Sequence, residues 1–524
     1  MNVRADASPS QYPAAPLPIH TAVGRRAQIA PDAIALVHGT TRISYAELDA
    51  ASDVWAVALR ERGAGPGGFI PVLLPRSAEL VTALLAVLKT GAAYAALDPR
   101  WPADRIHRVL RMLRPRVTVA LDAPGGWTGP VWHPPPHGVR RTAELSSTRP
   151  GSPVDPESPA TVFFTSGTTG SPKAVVSSHK ATTSLFSGGF EPFPSAPVMP
   201  QAAPVSWDAF TMETWGPLIN GGTSVVVDRD YLMPGTLRVL ADRDGVDTVW
   251  LTASLFNLFM DEDPGGFRGL RHVLTGGERL SVRRVRAFLD SHPGIVLTNG
   301  YGPVESCVFA TARRIRRPDC DLPSGIPVGH PVPGRHIYVL SDGRPAEPGS
   351  VGEICVTGDG VAVGYLGDPA LTARSFPTVV LDGLRTRVYR TGDLGFQDPD
   401  GVLHFAGRSD RQVKVRGHRV EPEEVEAFTQ TLPGVGECAV VPIRRQSGGY
   451  ERMALFYTCD GAAGAPDLPL PQTVRQALAA RLPRYLVPDL VHRRDGLPLT
   501  VNGKLDRAAL AGSLRQHDTT EGDA

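Results

Sequence analysis

Lysine is scarce in this chain: only 5 of its 54 basic residues are lysine, and 49 are arginine. Arginine carries the ordinary surface charge, so the lysines at 173, 414 and 504 stand out as chosen positions, while Lys180 reads as incidental. A compact ammonium on a flexible stem is not replaced by a planar guanidinium at a tight site. Cysteine is scarce as well. The five residues at 307, 320, 355, 438 and 459 lie far apart, which excludes a metal-like spacing; they read as reduced, buried or incidental residues of a cytoplasmic protein. No run of 18 apolar residues occurs and no basic-then-apolar pattern opens the chain, so neither a membrane span nor a signal peptide is expected. The formal net charge of +1 provides no excess of one sign with which to bind nucleic acid or an anionic membrane. The Walker pattern Gly-x-x-x-x-Gly-Lys-Ser/Thr is absent, and no persuasive Ser/His/Asp arrangement appears.

What is present points to a large α/β protein. A chain of 524 residues exceeds one ordinary domain, and 42% apolar content suffices for a large core. Residues 1–17 are polar and rich in Pro and Ala, and read as loose. From 18 to about 118, helical patterns alternate with short apolar runs such as Phe69–Leu74 and Val117–Leu121, which predicts βα units and a largely parallel sheet. Residues 122–159 are dense in Pro, Gly and Ser and read as an irregular surface connection. Alternation resumes from 160 to about 310, with strands expected at Ser224–Val227, Thr248–Leu251, His272–Leu274 and Ile295–Leu297. From 325 to 405 short strands and Gly/Pro/Asp turns predict a β-rich subdomain. A small mixed α/β domain follows.

The densest chemical signal is Thr165-Ser166-Gly167-Thr168-Thr169-Gly170-Ser171-Pro172-Lys173, which follows the apolar run Thr161–Phe164. Glycines let backbone N–H groups approach an anion, hydroxyls add donors, and Lys173 adds a point charge. The stretch reads as a phosphate cradle. Read alone, the same composition also suits a plain flexible loop.

Further motifs follow in order. They are Ile43–Leu48, Leu88–Tyr94 with Asp98-Pro99, Trp207–Thr211, Asn299–Glu305, Gly352–Ile354, Tyr389–Leu394, Gly407–Gly417, Leu482–Tyr485 and Asn502–Arg507. With the hydroxyl-rich loop, this ordered series over residues 18–510 resembles the adenylate-forming superfamily. The likeness is greatest to the amino-acid adenylation domains of nonribosomal peptide synthesis. The resemblance implies a large N-terminal domain over 18–409, made of two βα-type sheet subdomains plus a β-rich subdomain. It implies a small mobile α/β C-terminal domain over 410–512, with the hinge at Asp410 and a flexible tail over 513–524. The active site would lie in the cleft between the domains.

The implied reaction is attack of a substrate carboxylate on the α-phosphate of ATP, releasing pyrophosphate and leaving an acyl-adenylate. Both reactants are anionic, so the protein must supply position and positive charge rather than a nucleophile. The family pattern assigns Lys504 as the catalytic cation, with Thr169 and Glu305 beside it, and Glu305 as the Mg²⁺ ligand, in keeping with that ion's taste for a carboxylate plus phosphate and water. ATP would be held by Thr165, Ser166, Gly167, Thr168, Thr169, Gly170, Lys173, Gly277, Asn299, Tyr301, Gly302, Asp393, Arg408 and Lys504. Tyr301 would stack on adenine, and Asp393 would accept from both ribose hydroxyls. Lys414 and Arg416 could serve either half-reaction or form a solvated face. Ala174, Val304 and Val363 depart from the family's usual Gly, Thr and Arg; none removes a charged catalytic group.

Asp208 matches the aspartate that pairs with a substrate ammonium in the resembling amino-acid enzymes; an unpaired buried carboxylate is costly. The side-chain pocket carries over as Ala209, Met212, Leu274, Gly276, Gly300, Val308 and Phe309, with one further position near Thr252 or Ala253. These residues are apolar, so the expected substrate is an aliphatic or otherwise apolar amino acid, with an α- or β-amine. No carrier-attachment motif follows Lys504, so a freestanding enzyme is expected, passing its product to a separate carrier protein after the small domain rotates. The competing expectations are an acyl-CoA ligase, which has no need of Asp208, an inactive member that serves as a binding protein, and a luciferase-like or other oxidative use of the adenylate.

Overall fold

The computed structural model describes residues 16–136, 153–166, 172–186, 190, 193, 196–444, 449–459, 468–499 and 505–518. Gly167, Thr168, Thr169, Gly170 and Lys504 therefore lie outside the described residues. The protein is a mixed α/β molecule with a large N-terminal part and a smaller C-terminal one.

Three sheets build most of the large part. The first has seven strands, in the order Gly364–Tyr365, Lys173–Ser178, Pro159–Thr165, Ala93–Ala96, Phe69–Leu73, Thr118–Ala120 and Val131–Trp132. Its last five are parallel to one another, as the βα alternation predicts. The second has four strands and carries Ile34–His38 and Thr223–Val226 at its centre. The third runs Thr248–Thr252, His272–Gly276, Val296–Tyr301, Thr311–Arg314, His330–Pro331, with the first three parallel.

The helix Ala78–Lys89 shows how the layers join. Eleven of its twelve residues are buried, as expected of a helix apolar on all sides. Ser77 starts it by accepting the Leu80 N–H at 3.1 Å. Lys89 ends it inside the protein, its ammonium held by Asp49 at 2.6 Å and Asp53 at 2.7 Å. The preceding helix, Tyr45–Glu61, opens on a reciprocal cap between Ser44 and Glu47.

The segment 325–405 is β-rich as its turns predict: Arg335–Ser341, Gly352–Gly358, Tyr389–Gln397 and Leu403–Arg408 form an antiparallel sheet with the short Arg344–Pro345. The helix Pro369–Ser375 interrupts it. The small part places Val413–Val415 and His418–Val420 beside the long pair Val435–Arg444 and Tyr450–Cys459, and helices Pro422–Thr429, Pro471–Ala479 and Arg507–Asp518 accompany that sheet. Among the described residues no helix is long and apolar enough to cross a membrane, and the five cysteines are free.

The connection after 121 differs from expectation. It is not wholly a surface excursion, because Val131–Trp132 adds an edge strand to the seven-stranded sheet and Trp132 is buried edge-on against Trp55, ring centroids 5.5 Å apart. Two residues with no period around them carry no strand signal, so the sequence pattern missed them. The Trp132→Ala variant is expected to lose about 3 kcal/mol of stability, measured as a lowered denaturation midpoint; an unchanged midpoint would return the segment to the surface.

Candidate active site

The cleft is assembled where three chain reversals meet. Pro159–Thr165 and Lys173–Ser178 are antiparallel neighbours, with Thr165 opposite Lys173, so the hydroxyl-rich loop joins two paired strands. The Thr165 hydroxyl is buried without a partner among the described residues. Ser166 donates its hydroxyl to the Arg419 carbonyl at 3.0 Å, and the Lys173 ammonium stands 3.5 Å from Glu421. Both contacts reach the small domain.

A second wall comes from the parallel strands His272–Gly276 and Val296–Tyr301, whose ends bring Gly276 beside Gly300. Ligand clefts in open α/β sheets form at such strand ends. A Cβ on Gly276 would lie 2.0 Å from the Gly300 carbonyl oxygen, so only glycine admits this approach. Gly277, at φ +81°, turns the chain away and leads to Glu278, which accepts the Gly417 N–H of the small domain. Asn299 donates to the Pro327 carbonyl at 2.9 Å, and Gly302 packs against the Val308 carbonyl.

Tyr301, Asp393 and Arg408 form one cluster. The Tyr301 hydroxyl donates to Asp393 at 2.6 Å, while Arg408, opposite Asp393 across paired strands, holds the other carboxylate oxygen. Arg408 also grips Asp410 through Nε at 2.7 Å and Nη2 at 2.9 Å. Burial, with the Asp393 negative charge, pushes the Tyr301 hydroxyl far above its usual range, so it stays a donor.

Glu305 is fully buried. The Tyr365 hydroxyl reaches one carboxylate oxygen at 2.8 Å and Arg419 Nη1 the other at 2.8 Å. Burial alone would raise its proton affinity, but Arg419, the backbone and Tyr365 together hold the carboxyl below its ordinary value. Lys414 lies near Asp393, Asp208 and Glu278, and burial depresses its ammonium's proton affinity. Arg416 is exposed and pairs with Asp489 at 2.8 Å. The pair left undecided by sequence thus divides: Lys414 faces the cleft and Arg416 faces solvent.

Asp208 opens the helix Asp208–Ile219. Its carboxylate accepts the Ala209 N–H at 2.9 Å and the Val308 N–H at 3.1 Å. Burial outweighs these donors and raises its proton affinity. Ala209, Met212, Leu274, Val308 and Phe309 are buried in one continuous apolar cluster. Phe309 covers Gly300, where a Cβ would lie 2.2 Å from the ring. The uncertain position resolves to neither Thr252 nor Ala253. Thr252 caps a helix by accepting the Leu255 N–H, and Ala253 belongs to the core on the opposite side. Trp250 instead joins the cluster of the candidate pocket, edge-on to Phe309 with centroids 5.4 Å apart. Strand alternation could have found it: Val249 and Leu251 point into the other core. Arg419, Glu278 and Tyr365 were also missed. Arg419 carried no signal in a chain so rich in arginine, and Glu278 had only the preceding glycine pair.

Residues 23–366 match the AMP-binding enzyme family, and residues 424–504 match the AMP-binding enzyme C-terminal domain. The chain belongs to the AMP-binding enzyme family. It is 35% identical over 492 residues to surfactin synthase subunit 3 of Bacillus subtilis (strain 168), spanning 92% of this chain and 37% of that protein. It is 33% identical over 494 residues to tyrocidine synthase 3 of Brevibacillus parabrevis, spanning 92% of this chain but 7% of that one. The chain thus covers less than half the length of these curated relatives. Among solved structures, holo-PA1221, a nonribosomal peptide synthetase protein containing adenylation and PCP domains bound to a vinylsulfonamide inhibitor, superposes with a TM-score of 0.84. It is 35% identical, covering 94% of this chain and 84% of that one. This AMP-binding enzyme is an adenylate-forming ligase of the nonribosomal peptide adenylation type, and it uses ATP and Mg²⁺. The donor set suits the metal, since the buried Glu305, whose carboxyl is held below its ordinary value, is a hard oxygen donor of the kind magnesium takes.

His418 is one of the small domain's contacts with the large part: it meets Trp207 edge-on at 4.5 Å while stacking on Tyr485 of its own domain at 4.3 Å. Burial, with nearby Arg416, pushes the imidazole down to about 3. A solvent-exposed His418 would titrate near the ordinary imidazole value of 6.5. Protons therefore favour the undocked arrangement: docking is at full strength above about pH 6.5 and weakens as pH falls from there toward 3. An interdomain fluorescence-transfer pair should report this loss, and His418→Phe should flatten it. A pH response unchanged in the variant would assign the effect to another group.

Proposed function

We propose that this enzyme activates an apolar amino acid as its aminoacyl-adenylate and passes it to the phosphopantetheine thiol of a carrier protein. The observation that carries this reading is Asp208, a desolvated carboxylate at the edge of an apolar pocket walled by Trp250 and Phe309. A substrate ammonium would supply a contacting cation, since among the described residues Lys414 alone acts on this carboxylate as a cation, and only through its charge. Gly276 and Gly300 are closed over by a backbone carbonyl and the Phe309 ring, so the lining is set by Ala209, Met212, Leu274, Trp250 and Phe309, which favours a branched aliphatic, valine-like side chain with an α- or β-amine.

In this reading the substrate carboxylate oxygen attacks the α-phosphorus and pyrophosphate leaves with its bond electrons. The loop hydroxyls of Thr165, Ser166, Thr168 and Thr169, with Lys173, hold the phosphates; Tyr301 stacks on adenine; Asp393 accepts from the ribose hydroxyls; Lys504 bridges carboxylate and phosphate oxygens. Bound Mg²⁺, held by Glu305, supplies charge neutralisation on the phosphates. Here Arg419 engages Glu305 and Ser166 engages the small domain, so the small domain must withdraw, turning about Asp410, for these groups to receive ATP. The docked arrangement then serves the transfer step. The relative PA1221, with its adenylation and PCP domains, supports a carrier as acceptor. An acyl-CoA ligase leaves Asp208 unexplained.

Amino-acid-dependent ATP–pyrophosphate exchange tests this, with α- and β-amino acids and the matching acids lacking the amine. Exchange is expected with a branched apolar amino acid, reduced about 100-fold or more in Asp208→Ala and nearly abolished in Lys504→Ala. Exchange restricted to amine-free acids, indifferent to Asp208, would establish the acyl ligase instead. Offering CoA against a holo carrier protein identifies the acceptor.

A further inference from the structure

Arg335 begins the strand Arg335–Ser341 and is 2% exposed. No carboxylate lies within ion-pair distance of it among the described residues. Its guanidinium is instead ringed by neutral oxygens: the Ser184 hydroxyl at 2.8 Å and the carbonyls of Ala181 at 2.8 Å, Pro333 at 3.0 Å, Cys307 at 3.2 Å and Ser306 at 3.4 Å. A buried cation without a counter-ion in contact is an expensive choice if the need is only to satisfy carbonyls. Space is made for it, since a Cβ on Gly360 would lie 2.1 Å from Arg335 Nε.

The carbonyls it holds belong to a strained turn. Cys307 and Val308 are consecutive non-glycine residues at φ 55° and 69°, a conformation that persists only where the surroundings enforce it. The Cys307 carbonyl and the Val308 N–H are two ends of one peptide unit, and in a trans peptide they point in opposite directions. One end is held by Arg335 and the other donates to Asp208 at 3.1 Å. Rotating that peptide to relieve the strain would break both contacts together.

We infer that Arg335 is a positioning residue for the substrate amine: it clamps the Cys307–Val308 peptide so that the Val308 N–H holds the Asp208 carboxylate toward the pocket. This rests on Asp208 being the ammonium's partner, as proposed above. Arg335 itself touches no substrate.

The test is exchange kinetics on the full chain with Arg335→Met, Arg335→Lys, Gly360→Ala and Asp208→Asn. Arg335→Met should raise KM for the amino acid about tenfold or more, leave KM for ATP unchanged, and narrow the preference over the amine-free acid by the same factor. Arg335→Lys, which keeps a donor, should fall in between. Gly360→Ala displaces the guanidinium without removing it and should show the same split, so it decides the matter if Arg335→Met does not fold. In an Asp208→Asn background the Arg335 change should add nothing. Parallel rises in both KM values, or a full additional effect in that background, would overturn the inference while leaving the Asp208 reading intact. An amine preference unaffected by Asp208→Asn alone would overturn the reading, and the inference with it.

Discussion

The buried contact between Glu305 and Arg419 ties the chemistry of the cleft to the position of the small domain. Glu305 comes from the large part, follows the strand that ends at Tyr301, and has no solvent to stabilise its charge. Arg419 comes from the small part and is likewise drawn out of water. Neither can be left alone cheaply, because removing one member of a buried pair exposes the other to the full cost of desolvation. If the small domain withdraws, Glu305 keeps Tyr365, which donates one hydrogen bond and no charge. The vacated side is then open to water or to another cation. On the reading proposed above that cation is Mg²⁺, so metal binding and the docked arrangement draw on the same carboxylate and exclude one another.

The same reasoning explains how the other charges are distributed. Asp393 is met by Tyr301 and Arg408, both fixed within the large part, and so it is organised whatever the small domain does. Asp208 and Glu278 face groups from the small part, Lys414 for both and the Gly417 N–H for Glu278. The cleft therefore holds one carboxylate, Asp393, with direct partners inside the large part, while docking changes the charges around all four, since Lys414 also approaches Asp393. On the proposed reading, an enzyme that binds two anions, joins them and then admits a thiol benefits from cations that arrive and leave with a moving domain.

The lysine count marked some positions at the cleft and passed over another that is as buried. Lys173 and Lys414 do lie at the cleft, and Lys504 lies outside the described residues. Lys89, however, is as buried as any of them and serves the core, between Asp49 and Asp53. Lys180, read as incidental, is paired with Asp359 at 2.9 Å and also with Glu157. Arginine was the opposite case. Its abundance hid Arg335 and Arg419, whose burial sets them apart from dozens of exposed neighbours only once the chain is folded. The parallel strands were legible because a strand covered by helices on both faces must be apolar along its whole length, and short apolar runs between helical patterns meet that demand. Val296–Tyr301 runs further than its expected end because Asn299 and Gly300 carry no apolar signal. The edge strand at Val131–Trp132 is made by a distant partner, Thr118–Ala120, and so was not legible locally.

Selectivity in this pocket separates into two scales. An apolar wall such as Trp250 against Phe309 distinguishes neighbouring aliphatic side chains by contact and cavity terms, on the order of 1–3 kcal/mol for a methylene. A carboxylate that is buried and poorly paired acts on a larger scale, because a substrate lacking the amine leaves it uncompensated. On the reading proposed above, the class of substrate is then decided by Asp208 and the choice within the class by the rings. That ordering makes the backbone around Val308 matter more than its small size suggests: the Val308 N–H orients the carboxylate that sets the class, while the next residue, Phe309, shapes the wall that sets the member. Both depend on a turn that two left-handed residues would abandon without Arg335 beneath them.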